Sequence, residues 1–130
     1  MRSTNSWVRT VLLGVTVASA QGCMLVAGAA VGVGGYAYVT GALEQNVDAH
    51  YAELHGAALD ALRQDIGAMI VSEDLGQEGS EINAKHPDGR HIKITIESLT
   101  LKASKIKIRL GTFGDEAESL RIERAIAARI

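Results

Sequence analysis

The chain has one cysteine, one proline, one phenylalanine and one tryptophan in 130 residues. With Cys23 alone, no disulfide can close within the chain, so packing must stabilise whatever fold forms. There is no excess of basic charge: 13 Lys and Arg stand against 15 Asp and Glu, a net charge of −2. That balance supplies no basic field, and nucleic acid is not an expected partner. No Asp or Glu precedes Glu44 either. The chain therefore reads as an apolar lead followed by a mixed-charge globular part, long enough for one domain with a modest core.

Arg2 and Arg9 precede an apolar run from Thr10 to Gly22, and small residues lie at its exit. A basic start, a short apolar stretch and a small-residue exit describe a bacterial export signal. Ala20-Gln21-Gly22-Cys23 resembles a lipobox, which assigns 1–22 to the signal and makes Cys23 the lipidated first residue of the mature protein. Ala18-Ser19-Ala20 is a competing A-x-A site that would release a soluble protein starting at Gln21, and an uncleaved anchor is a third outcome. Acylation of Cys23 is favoured, because a lone exposed thiol is reactive in an oxidising compartment. Met24 stands where an aspartate would signal inner-membrane retention, so the periplasmic face of the outer membrane is expected.

Residues 23–40 are apolar, uncharged and glycine-rich, and read as a membrane-hugging tether. Gly28 and Gly32 make a small-x3-small pair, a spacing that any Gly/Ala-rich run also produces by chance. The domain is expected over 41–130. Leu43 and Val47 alternate with Glu44 and Asn46, predicting a strand. Asp48 is the expected N-cap of a helix whose apolar stripe is Tyr51, Leu54, Ala58, Ala61, Leu62 and Ile66, with Gly67 as its stop. A short apolar strand follows over 68–73. His86-Pro87-Asp88-Gly89-Arg90 then has the residues of a type I turn with Gly89 left-handed. The register it sets pairs Ala84 with Ile92 and Ile82 with Ile94 on one face, continued by Ile96. A last strand points Ile106, Ile108 and Leu110 inwards, with Lys105, Lys107 and Arg109 outwards. Asp115 with Glu118 three residues on is a capping-box pattern opening a helix with Leu120, Ile122, Ile126 and Ile130 on its apolar side. The expected fold is α+β: one antiparallel sheet of four to five strands, two helices on one face, order β-α-β-β-β-β-α.

Across Ser104 to Glu116, and above all in Gly111-Thr112-Phe113-Gly114-Asp115, the sequence resembles the domain-of-unknown-function family 3568. Its members are small exported bacterial proteins, many of them predicted lipoproteins. The resemblance runs from about Tyr36 to Ile130 and takes in Ser119, Ile122 and Asp88-Gly89. It implies export and the α+β layout. It implies no activity.

Chemistry is sparse in the pattern. His50 and His55 lie five apart, about 140° round a helix, and do not converge on one ion. His86 and His91 flank the turn with opposite strand parity and leave the sheet on different faces. All four histidines read as surface residues, and no metal or other cofactor is expected. Ser98, Ser104 and Ser119 lack a nucleophile-elbow setting, and Gly32-Val33-Gly34-Gly35 is no phosphate loop. Asp115 and Glu116 read as capping residues rather than a catalytic pair. Lys93, Lys105, Lys107 and Arg109, with Lys102 nearby, form a candidate docking face for an envelope protein or anionic lipid, interrupted by Thr95 and Glu97. Phe113 is either an exposed contact at the turn or a plug packed under the last helix, and the plug is favoured. The function these features support is a non-enzymatic envelope lipoprotein that binds or supports a partner. A small periplasmic enzyme is the alternative.

Overall fold

The computed structural model describes residues 36–130. The export signal, acylation at Cys23, the Gly28/Gly32 pair and the tether up to residue 35 lie outside the described residues.

The described chain is α+β, with one antiparallel sheet and two helices. In chain order it forms β1 (Tyr36–Val39), β2 (Ala42–Val47), α1 (Tyr51–Asp60), a π-helical segment (Ala61–Ile66), β3 (Met69–Leu75), β4 (Gly79–Lys85), β5 (His91–Thr100), β6 (Ala103–Leu110) and α2 (Glu116–Ala127). The sheet has six strands in the order β1-β2-β6-β5-β4-β3, one more than expected. The additional strand is β1, which overlaps the end of the expected tether. Thr40 and Gly41 join it to β2 with φ of 50° and 81°. A two-residue hairpin of this twist needs positive φ at both central positions. Thr-Gly is a poor version of that signal, because a β-branched residue resists the left-handed region.

The β4–β5 hairpin has the register its turn chemistry predicts: Ala84 opposite Ile92 and Ile82 opposite Ile94. The Gly89 amide donates to the His86 carbonyl at 2.8 Å, and Gly89 has φ 94°. Ile82, Ala84, Ile92, Ile94, Ile96, Ile106, Ile108 and Leu110 are all buried on the same face, under α1 and α2. At about 25 cal/mol per Å² of apolar area removed from water, this layer is the main source of stability. Leu43 joins it from β2, Leu54 and Leu62 from the first helical arm, and Ile122 and Ile126 from α2. Ile130, expected to continue the α2 stripe, lies beyond the helix end and is exposed.

One local expectation about α1 is corrected. The N-cap is His50, not Asp48: the His50 Nδ1 accepts from the Ala52 amide at 3.3 Å. The buried Ser104 Oγ donates to the Ala49 carbonyl at 2.8 Å, and this bond holds the β2–α1 connection two residues further on. The helix then widens into the π-helical segment, and Gly67 (φ 71°) donates to the Leu62 carbonyl to end it. The Arg129 guanidinium clamps this segment to the C-terminal end through Asp65, Nε to Oδ2 at 2.7 Å and Nη2 to Oδ1 at 3.0 Å.

No helix among the described residues is long and apolar enough to cross a membrane.

Candidate functional site

Both helices cover one face of the sheet and leave the other bare. Directly paired residues share a face, so strand register maps the bare side row by row. One row reads Ser72, Asn83, Lys93, Arg109, Ala42, Val39 from β3 to β1. The row beside it reads Asp74, Glu81, Thr95, Lys107, Glu44, Ala37. Further towards the end that holds the β4–β5 turn come Met69, Lys85 and His91. Carboxylates therefore sit in the middle of the face. Its turn end carries Lys85, His91, Lys93 and Arg109 and no acid.

The expected docking face divides accordingly. Lys107 Nζ pairs with Glu44 Oε1 at 3.0 Å, and Lys93 Nζ with Glu81 Oε2 at 3.1 Å. Exposed pairs of this kind contribute at most about 1 kcal/mol, but they answer the charge locally. Lys105 and Arg109 have no carboxylate partner among the described residues. Arg109 instead donates Nη2 to the Thr112 carbonyl at 2.8 Å, which orients the guanidinium and leaves its other donors available.

Beside Arg109 is a depression of about 590 Å³ lined by Arg90, His91, Lys93, Arg109, Thr112 and Phe113, with Gly89 and Gly111 at its margins. Phe113 is 92 % exposed on its rim. The expectation that it plugs the core under α2 is thus wrong. The cause is in the loop backbone. Gly111 and Gly114 have φ of 73° and 81°, and Gly114 lies against the Gly41 carbonyl and the Tyr38 hydroxyl with no room for a Cβ. A Cβ on Gly41 would in turn come within 2.6 Å of the Phe113 carbonyl. This interlock turns the Phe113 backbone inwards and its side chain outwards.

A charged cluster braces the other wall. Arg90 donates Nε to Asp88 Oδ2 at 2.7 Å and Nη1 to Asp115 Oδ2 at 2.8 Å. Asp115 also accepts from the Glu118 amide at 3.0 Å, the expected N-cap of α2. The Arg90 guanidinium is the main cause holding both aspartates below their ordinary pKa, Asp88 furthest, and the carboxylates raise Arg90 in return. His86 lies 2.9 Å from Asp88 through Nδ1 and 3.2 Å from Glu118 through Nε2. The cluster ties the hairpin turn to the start of α2.

His86 and His91 leave the sheet on opposite faces as parity requires, His91 meeting Asn83 Oδ1 at 3.2 Å on the bare side. They are not equivalent surface residues, however. His86 is largely enclosed by its two carboxylates, and His55 is buried on α1 at 7 % exposure. Sequence reasoning did not mark Arg90, His91 or Thr112 as neighbours of Phe113. A signal for the exposed loop was present in the single phenylalanine between Gly111 and Gly114, a segment whose positive φ angles steer the side chain.

No curated protein matches the chain. Residues 7–129 match the family described as "Protein of unknown function (DUF3568)", and with nearly its whole length covered the chain belongs to that family.

Proposed function

We propose that this protein is a bacterial cell-envelope lipoprotein whose domain is a non-enzymatic binding module, held by acylated Cys23 on the periplasmic face of a membrane, with the outer membrane favoured. The observation that carries the binding reading is Phe113, an aromatic side chain almost wholly exposed beside Arg109, which has no carboxylate partner among the described residues. A large apolar group held outward at an interlock of glycines that admit no Cβ has no role in the core, and an exposed aromatic beside an arginine has the composition of a contact site. The non-enzymatic reading is supported by the cluster around Arg90, whose carboxylates, guanidinium and imidazole are engaged with one another in bracing the hairpin against α2. The anchoring reading is supported by the stretch from Thr10 to Leu43, which contains no charged residue.

Two measurements test the proposal. Labelled palmitate should enter the full chain in cells and be lost in Cys23→Ser. A photo-crosslinking residue at Phe113 should capture an envelope component in intact cells, while one at Leu101, at the far end of the sheet, should not. Absence of label, or equal capture at the two positions, overturns it.

A further inference from the structure

We infer that the turn end of the bare sheet face docks onto an anionic phospholipid surface, with Phe113 entering the interface and Arg109, His91 and Lys85 meeting the headgroup phosphates. The inference rests on the reading of this end as the binding site and names what occupies it.

Three observations converge. First, cations and apolar groups are segregated together. The two rows nearest the turns carry four basic side chains and no carboxylate of their own. Lys93 is answered by Glu81 of the next row, which leaves Lys85, His91 and Arg109, flanked by exposed Met69 on β3 and Val39 on β1, with Phe113 between them. Asp88 and Asp115 also lie at this end, but Arg90 answers both of them. An aromatic amid basic residues suits a membrane interface, where the ring sits among headgroups and the cations meet phosphate. Second, Arg109 is pre-oriented by the Thr112 carbonyl beside Phe113, and a planar guanidinium fork matches phosphate oxygens. Third, the stretch between Arg9 and Glu44 carries no charge and runs into β1 at Tyr36. The four residues of β1 end at the turn that interlocks with the Phe113 loop, so the lead joins the domain one short strand, about 13 Å, from the exposed phenylalanine.

What the basic end adds to an acylated Cys23 is orientation: it sets the Leu99–Leu101 end away from the bilayer.

The test uses the full chain with Cys23→Ser, which removes acylation and the only native thiol. An environment-sensitive fluorophore is then placed at Thr112→Cys or, as control, at Leu101→Cys. With vesicles of phosphatidylethanolamine and phosphatidylglycerol, the Thr112 label should shift to the blue and the Leu101 label should not. Because the apolar lead is present in every sample, label position rather than bulk binding is the readout. Arg109→Gln and Lys85→Gln should each weaken anionic-vesicle binding about fivefold, the effect of one basic residue near such a surface. Phe113→Ser should abolish the shift.

No shift, equal shifts at the two positions, or an equal shift with phosphatidylcholine alone overturns the inference. So does a shift with inorganic phosphate in place of vesicles, which would mean a soluble anion, or a lipid-free shift that grows with protein concentration, which would mean a second copy. Capture of one envelope protein at Phe113 without a vesicle shift overturns this inference and leaves the binding module standing. A vesicle shift without palmitate on Cys23 does the reverse for the lipid anchor.

Discussion

Gly114 packs directly on Gly41, backbone to backbone, across the gap between the α2 entry and the β1–β2 turn. Neither position has room for a side chain, and both have positive φ. The contact joins the β1–β2 hairpin to the entry of α2 beside the site.

Gly114→Ala should therefore destabilise the protein more than Gly89→Ala. Both residues are left-handed, which costs about 1–2 kcal/mol for a non-glycine. Only Gly114 adds a clash with Gly41 and Tyr38, since nothing lies within 4 Å of a Cβ on Gly89. Thermal denaturation of the two variants gives the order directly.

Thr40→Asn should stabilise the domain. Thr40 holds φ 50° at the first central position of a hairpin turn that favours Asn-Gly. A gain of about 1 kcal/mol is expected from relief of that conformation. The urea midpoint measures it, and an unchanged or lower midpoint would count against the turn.

Two serines with no exposed surface separate a bonded hydroxyl from an unbonded one. Ser104 Oγ donates to the Ala49 carbonyl, while Ser119 Oγ has no partner among the described residues. Ser104→Ala should cost about 1–3 kcal/mol by leaving a buried carbonyl unpaired. Ser119→Ala should stay within about 0.5 kcal/mol of the parent. Equal losses in chemical denaturation would refute the distinction.

Acid should weaken the brace at α2. Asp88 and Asp115 are depressed below the ordinary 3.8 in the folded state, chiefly by Arg90. Such groups stabilise the fold above the unfolded pKa and lose that contribution as pH falls through the folded one. Stability should decline below about pH 4, and less steeply in Arg90→Gln. Glu123 has the opposite sign, because burial raises its carboxyl. Glu123→Gln should raise stability at neutral pH, read from unfolding midpoints across a pH series.

Phe113→Ser should leave the melting temperature within the range of ordinary surface changes, about 0.5 kcal/mol, because the ring contributes little to the core. The same variant should lose the vesicle-dependent shift of the Thr112 label. A large drop in stability would return Phe113 to the structural role the sequence suggests.

What sequence alone determined was local or periodic. The Pro87-Asp88-Gly89 turn imposes one register, and alternation at Ile92, Ile94 and Ile96 makes any slip expose the core. Asp115 caps α2 because its carboxylate needs only the amides of the next turn. Tertiary structure decided whatever depended on distant chain. Asp48 and His50 are both able to cap α1, and the Ser104 bond to Ala49 selects His50 from 55 residues away. β1 forms although Thr40-Gly41 is a weak turn signal, since pairing with β2 and the contact with Gly114 outweigh the cost at Thr40. Phe113 has the hydrophobicity of a core residue, but hydrophobicity carries no direction. Its orientation comes from the backbone at Gly114 locked against Gly41, a constraint that exists only after residues 73 positions apart have met.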